Sequence, residues 1–228
     1  MKNYKKNIEL LSKNHVYSTD MEHDACGVGL IASTEGKKSR QVVEYGIEAL
    51  KAVWHRGAVD ADGKTGDGAG IHLEIAKDFF IEKIEVTGHK YDGSEICVGM
   101  IFLPRNDYSA QENCKIIIES ELTKNNFNIY GWRQVPVNPK ILGDKALQTM
   151  PEIIQVLFKS NDSNLLDKNL ERKIYETRRK IENKASKSSL NDFYICSFSS
   201  KSIIYKGMFL AEGISDFYLD LKDKRFIS

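Results

Sequence analysis

The chain has 228 residues, of which 41% are hydrophobic and 29% are charged, and only 4 are prolines. This length and composition argue against intrinsic disorder and predict one globular domain, or a large piece of one, with a sizeable core. The 33 basic and 32 acidic residues leave a net charge of +1. A chain with so small a net charge has no strong electrostatic attraction for nucleic acid or an anionic membrane. We therefore expect a small molecule or another protein as the partner.

The cysteines and the N-terminus indicate a cytoplasmic protein. The 4 cysteines are widely spaced and form no Cys-x-x-Cys pair. A chain of this size needs no disulfides for stability, so a reducing compartment fits best. The basic N-terminus is followed by too few apolar residues for a secretory signal. No stretch approaches the ~18 apolar residues of a membrane-spanning helix.

Two strands and one helix are predicted in the first third of the chain. Residues 27–32 and 70–75 are apolar runs typical of strands. Between them, apolar residues recur at spacings of four, three and four within residues 39–54, which predicts a helix with one buried stripe. The stripe consists of Val43, Ile47, Leu50 and Trp54.

The middle of the chain continues this alternation of strands and helices. Residues 96–103 are nearly all apolar and predict a strand buried on both faces. Ser109 and Glu112 form a capping-box pattern that opens a second helix. Residues 128–135 predict a further strand. The core face of the second helix is expected to carry Cys114, Ile117, Ile118 and Leu122.

A third helix and two more strands follow. Residues 166–182 combine many charges with a sparse apolar stripe, which predicts an amphipathic surface helix. The Lys/Ser-rich residues 183–189 indicate a loop after it. Residues 193–198, which half-alternate, and residues 203–205 predict strands. Six strands and at least three helices indicate an α+β or layered α/β domain.

Cys26 is the strongest candidate for a catalytic residue in the sequence. Polar residues and a small alanine precede it, and a glycine-spaced apolar run follows. A free cysteine is more often a small buried hydrophobe, and the alternative is a thiolate nucleophile that needs a nearby base. If the peptide bond before Cys26 were cut, its own α-amino group, with a pKa of ~7.7 to 8.0, would be such a base.

A second segment runs from His55 through a glycine-rich stretch at residues 65–70. A dinucleotide-binding loop is a weak interpretation, because the glycines lead into a strand rather than a helix. A metal site is also a weak interpretation, because no pair of ligands has a diagnostic spacing. Its candidate ligands are His55, Asp60, Asp62 and His72. Taken alone, the segment is best interpreted as a glycine-rich turn with solvated acidic residues.

Taken together, these segments resemble the start of the large subunit of glutamate synthases. The matching stretches are residues 22–29, 54–58, 65–70, 131–137, 203–208 and 217–221. The resemblance covers nearly the whole chain, and several of the stretches are long enough to be specific. It implies a class II glutamine amidotransferase domain with the fold of the N-terminal nucleophile hydrolases, a four-layer αββα sandwich that is incomplete here.

The resemblance also implies how the site works. Residues 1–25 would be a leader that is removed, and residues 26–228 the N-terminal part of the amidotransferase domain. Cys26 would then be the nucleophile that hydrolyses glutamine through a thioester and releases ammonia. Arg56 would order the loop that carries Cys26, while Asp67 and Gly68 would line the same region. The other cysteines, which match no catalytic position, are expected to be packing residues.

Partners and cofactors follow from the same resemblance. The ammonia would pass to downstream synthase domains that convert 2-oxoglutarate to glutamate with FMN and an iron-sulfur cluster, with electrons from a small subunit or ferredoxin. No cofactor and no metal is expected within this segment. The family's substrate-clamping Arg loop and oxyanion-hole Asn-Gly pair are expected after Ser228, so the segment alone is expected to be weak or inactive.

Two alternatives stand beside this interpretation. The first is an inactive truncated remnant that acts only as a binding module through exposed sheet edges. The second is an amidotransferase of nucleotide or asparagine synthesis. The Thr-Gly-Asp-Gly-Ala-Gly stretch at residues 65–70 argues against the second alternative, because it resembles glutamate synthases specifically.

Overall fold

The computed structural model describes residues 2–14, 18, 27–53 and 58–228. Within these ranges the chain forms an α+β arrangement of helices and antiparallel strands. The helices are α1 Lys2–Asn14, α2 Arg40–Ala52, α3 Lys77–Val86, α4 Tyr108–Lys124, α5 Asp144–Gln148, α6 Asp167–Lys187 and α7 Ile214–Phe217. The strands are β1 Ala69–Glu74, β2 Cys97–Leu103, β3 Phe127–Gln134, β4 Glu152–Ser160, β5 Tyr194–Ser199 and β6 Ser202–Gly207.

The strands form two antiparallel sheets. The larger sheet has the order β3-β4-β2-β5, so β2 and β4 are its central strands. The smaller sheet is a ribbon of β1 and β6, in which Ile71 lies opposite Tyr205. Strands that are neighbours in these sheets are often far apart in sequence, and their pairing is therefore a product of tertiary folding.

Two hydrophobic clusters hold these elements together. One packs α4 and α6 onto the four-stranded sheet and includes Ile118, Ile174 and Phe158. The other combines side chains of both sheets with α2 and α3, and includes Phe80 and Tyr205. Because the second cluster draws on both sheets, it fixes the ribbon against the rest of the fold.

Five of the six predicted strands are confirmed, namely those at residues 70–75, 96–103, 128–135, 193–198 and 203–205. The strand predicted at residues 27–32 is wrong. That segment has no regular secondary structure, and Val28 and Leu30 are 90% and 89% exposed. An apolar run becomes a strand only where a neighbouring strand accepts its hydrogen bonds, and here the segment has no such neighbour among the described residues.

Several elements were not predicted at all. The central strand β4 is the most important, since its run Ile-Ile-Gln-Val-Leu-Phe lies fully buried between β2 and β3. Helices α1 and α3 were also missed. Strand β5, which was expected to half-alternate, is buried at five of its six positions.

The predicted helices are confirmed, with corrections at their ends, except that Trp54 of the predicted stripe lies outside the described residues. Ser39 caps α2, and its hydroxyl accepts a hydrogen bond from the Val42 N–H. Helix α4 is capped by Asp107 instead of Ser109, so the capping-box prediction is wrong. Helix α6 continues to Lys187, where a loop was expected, because its buried stripe extends to Ala185. Glu112 pairs with Lys115 on the surface of α4.

An ion pair is buried where the sheets meet. The Arg133 guanidinium donates two hydrogen bonds to the Asp220 carboxylate, at 2.7 and 2.5 Å, and one to Gln155 Oε1 at 2.7 Å. The Tyr205 hydroxyl donates to the same carboxylate at 3.2 Å. Both charges are therefore satisfied within the core.

None of the helices in the described ranges has the length and apolar character needed to cross a membrane.

Candidate active site

The structure describes two of the four residues that the sequence assigns to the site. Asp67 and Gly68 lie immediately before the ribbon strand β1. Cys26 and Arg56 lie outside the described residues, so their assignment stays a prediction. The described part of the candidate site is the segment that follows Arg56 in the chain.

Residues 58–67 form a short turn that we call the acidic hairpin. At its base, Asp67 Oδ2 accepts a hydrogen bond from the Ala58 N–H at 2.9 Å, and the Asp67 N–H donates to the Ala58 carbonyl at 3.2 Å. Val59 and Gly66 form an antiparallel bridge above this base. The Asp67 side chain thus closes the hairpin, a role that the sequence motif did not reveal.

The tip of the acidic hairpin is organised by Asp62. Its carboxylate accepts hydrogen bonds from the Thr65 hydroxyl at 2.5 Å and from the N–H groups of Thr65 and Lys64 at 2.7 and 2.9 Å. The bond from the Thr65 hydroxyl, followed by those from the backbone, lowers the pKa of the Asp62 carboxyl to about 2. Asp62 is therefore ionised at neutral pH and committed to the turn.

Asp60 contacts a distant part of the chain. Its Oδ2 accepts a hydrogen bond from Lys145 Nζ at 2.9 Å, and this bond is the main reason why the pKa of the Asp60 carboxyl is lowered. The two residues are separated by 85 positions in sequence. No local motif signals such a contact, so Lys145 could not be predicted from the sequence.

Gly68 and Gly70 allow the hairpin to join the ribbon. Gly68 adopts a φ of +127°, a conformation that side-chain-bearing residues rarely adopt. A Cβ atom at Gly70 would lie 2.9 Å from the Cβ of Lys206 on the paired strand β6. The glycines of this segment therefore allow the hairpin and the two strands of the ribbon to approach closely.

A cavity of about 720 Å³ opens beside residues 67–70. Its wall includes Tyr194, Lys206 and Met208. Lys206 Nζ donates a hydrogen bond to the Tyr194 hydroxyl at 2.6 Å and lies 4.4 Å from the centre of that ring. The cavity thus presents an ammonium group, a carboxylate and apolar surface, and its volume suits a small polar molecule.

Among the described residues, no group of three or more His, Cys, Asp or Glu side chains could hold a metal ion. Cys97, Cys114 and Cys196 are free and buried. Burial raises the pKa of the Cys114 and Cys196 thiols to about 11 and that of Cys97 further still. These thiols are poor nucleophiles at neutral pH, which agrees with their expected role in packing.

Comparison of its sequence with known proteins places the chain in a family. The profile of the class-II glutamine amidotransferases matches residues 26–228. The chain is 52% identical over 225 residues to the glutamate synthase [NADPH] large chain of Azospirillum brasilense, an alignment that covers 99% of this chain and 15% of that protein.

Two ferredoxin-dependent relatives are more distant. The chain is 37% identical over 209 residues to the chloroplastic ferredoxin-dependent glutamate synthase of Spinacia oleracea, covering 91% of this chain and 13% of that protein. It is 38% identical over 208 residues to ferredoxin-dependent glutamate synthase 2 of Synechocystis sp., with the same coverage. The chain therefore spans 13–15% of the length of these relatives.

Proposed function

Because the chain belongs to the class-II glutamine amidotransferases, we propose that it is the glutaminase part of a glutamate synthase. The observation that carries the proposal is the family match that begins at Cys26, together with the high identity to a glutamate synthase large chain. No observation favours a remnant that only binds a partner. The named relatives are all glutamate synthases, which supports 2-oxoglutarate as the final acceptor of the ammonia.

We further propose that residues 1–25 are a leader whose removal exposes Cys26, leaving residues 26–228 as the amidotransferase part. Helix α1 supports this proposal. Its described side chains, from Lys6 to Asn14, are exposed or half-buried, and none joins either hydrophobic cluster. The loss of these described side chains would therefore cost the core little stability.

The chemistry follows from a cysteine at a free N-terminus. The α-amino group of Cys26 accepts the thiol proton, and the thiolate attacks the side-chain amide carbon of glutamine. The C–N bond of the amide then breaks, and ammonia leaves with the transferred proton. Water hydrolyses the γ-glutamyl thioester, which regenerates the thiol and releases glutamate.

In this proposal Arg56 orders the loop that carries Cys26, and Asp67 and Gly68 line the same region. The contact between Asp67 and Ala58 supports it, because it joins the residue before Gly68 to a residue two positions after Arg56 in sequence. A backbone held at both ends positions polar groups without a reorganisation cost during the reaction.

The same proposal implies that the complete domain is a four-layer αββα sandwich. Helices α4 and α6 pack on the outer face of the four-stranded sheet, and α2 packs against the ribbon strand β1. The Glu74 N–H donates to the Ser228 hydroxyl and not to β6, so the alternate residues Gly70 and His72 also point their backbone groups away from β6. Further strands could add at this edge, which supports a larger second sheet.

The remaining functions are assigned to other parts of the protein. When bound to the downstream domains, FMN and an iron-sulfur cluster would supply electron transfer for the synthase reaction. The electrons would come from a small subunit or ferredoxin. The whole protein would work in the cytoplasm. The chain would therefore contribute glutamine hydrolysis and the release of ammonia.

The test uses the full-length protein that carries this chain. A diazoketone analogue of glutamine should alkylate Cys26, and peptide mass spectrometry should find the label on a free N-terminal cysteine. Cys26→Ala should reduce glutaminase activity by about 10⁴-fold or more, because the nucleophile is lost. Cys196→Ala, which alters a buried packing thiol, is the matched control. Labelling of another residue, or an active Cys26→Ala variant, would refute the proposal.

A further inference from the structure

Helix α5 holds the acidic hairpin from outside. Lys145 on α5 forms an ion pair with Asp60 at 2.9 Å. Gly143, which caps α5, packs so closely on the hairpin that a Cβ atom there would overlap the Asp62 carboxylate and the Thr65 hydroxyl. The hairpin and α5 are thus fitted together through a glycine that leaves room for a carboxylate.

The Asp62 carboxylate cannot easily move out of this contact. Three hydrogen bonds, from the Thr65 hydroxyl and the N–H groups of Thr65 and Lys64, fix its position in the turn. Moving the carboxylate would break bonds to an ionised group, which are stronger than neutral ones. A displacement at Gly143 would therefore shift the hairpin as a body.

The base of the hairpin carries such a shift to the candidate active site. Ala58 and Asp67 are joined there by two hydrogen bonds, and Gly68 follows directly. We propose that Asp62 and Lys145 are positioning residues for glutamine hydrolysis: α5 sets the position of the hairpin, and the hairpin sets the backbone of Asp67 and Gly68. This inference rests on the proposed function.

The ion pair and the Gly143 contact differ in strength. Lys145 and Asp60 are 67% and 36% exposed, so their attraction is screened by solvent. The Gly143 contact is a matter of packing and is not screened. We therefore expect the effect of Gly143→Ala to be larger than that of Lys145→Met.

Gly143→Ala is a clean probe of the contact. Gly143 has a φ of −75°, which alanine adopts without strain, so the variant changes only the space beside Asp62. The matched control is Gly213→Ala. Gly213 also caps a short helix at negative φ, and an added Cβ would meet only the end of the flexible Ile141 side chain at 2.9 Å.

The first measurement is glutaminase kinetics of the full-length protein, well below the unfolding temperature of every variant. Gly143→Ala and Asp62→Ala should lower kcat/KM by about 10-fold or more, mainly through kcat, since misplacement by ~1 Å can cost ~10²-fold. Asp62→Asn keeps an oxygen that can accept both backbone N–H bonds and should stay within about 5-fold of the wild type. Gly213→Ala should leave both constants unchanged.

The second measurement is hydrogen exchange of the hairpin amides of Ala58, Asp60 and Thr65, which are hydrogen-bonded in the wild type. Faster exchange in Gly143→Ala together with the kinetic loss would support the proposal. Faster exchange with unchanged kinetics would overturn it. Unchanged exchange in both Gly143→Ala and Asp62→Ala would overturn it as well. An equal kinetic loss in Gly213→Ala would also overturn it. If the wild type lacks glutaminase activity while Gly143→Ala still exchanges faster than the wild type, the proposed function would be refuted, and the positioning role with it.

Discussion

Replacing Asp220 with Ala would remove one half of the ion pair buried where the sheets meet. The side chains of Arg133 and Asp220 are 13% and 2% exposed, and two hydrogen bonds at 2.5 and 2.7 Å join them. Without the carboxylate, the Arg133 guanidinium keeps only its bond to Gln155, and the Tyr205 hydroxyl loses its acceptor. A buried charge without its partner is strongly destabilising.

The expected loss is about 3–5 kcal/mol in the free energy of unfolding, the usual cost of breaking a buried pair by removing one partner. At about 2–4 °C per kcal/mol for a chain of this size, the melting temperature should fall by about 6–20 °C. Urea and thermal unfolding measure both quantities. Glu35→Gln, which breaks an exposed pair with Lys37, should cause no measurable change.

A double variant separates the ion pair from packing effects. Arg133→Met combined with Asp220→Ala removes both charges, so its loss should be smaller than the sum of the two single losses. A loss below about 1 kcal/mol in Asp220→Ala, or strict additivity in the double variant, would refute the idea that the unpaired guanidinium causes the destabilisation.

Two further predictions concern the core. Gly99→Ala should cost about 1–3 kcal/mol in urea unfolding, because the new Cβ would lie 2.5 Å from ring carbons of Phe198 in the central sheet. Gly46→Ala on α2, where the nearest atom is 3.4 Å away, should be neutral or stabilising, and equal losses would contradict this reasoning. Burial raises the pKa of the Cys114 and Cys196 thiols from 9.0 to about 11, so the stability they contribute is present below pH 9.0 and lost as pH rises through about 11. Urea unfolding from about pH 8 to 11 should decline less steeply in a double alanine variant of these cysteines, whereas parallel curves would exclude the effect.

Local patterns predicted the elements better than their arrangement. The apolar period of α2 and the apolar run of β2 depend on nearby residues, and both predictions were correct. The order of the sheet depends on contacts between distant segments, and no local pattern encodes it. The missed strand β4 had a visible signal, since its apolar run resembles that of β2. Residues 27–32 show the opposite case, an apolar run that pairs with no described strand.

The candidate site shows the same division. The sequence motif picked out Asp67 and Gly68, and the positive φ of Gly68 explains why glycine is needed there. The motif did not show that Asp67 closes a hairpin on Ala58. It also gave no indication of Lys145, because an exposed ion pair between distant residues leaves no recognisable pattern in sequence.

The ribbon next to the candidate site depends on the segment that contains Asp220. A two-stranded ribbon is marginally stable by itself, so it needs support from the rest of the fold. The Tyr218 hydroxyl donates to the Lys206 carbonyl on β6 at 2.7 Å, and the Ser228 hydroxyl accepts from the Glu74 N–H on β1. One segment thus holds both strands of the ribbon.

The buried ion pair anchors that same segment to the four-stranded sheet, since Arg133 lies on β3 and Asp220 lies between Tyr218 and Ser228. Arg40 on α2 adds a second anchor, because its guanidinium donates to the Leu221 carbonyl at 2.8 Å. The backbone of Gly68, at the start of the ribbon, is therefore held from two directions. The acidic hairpin fixes it through Asp67, and the core fixes it through the ribbon. A charge pair in the core and a glycine contact at the surface consequently act on the same short stretch of backbone.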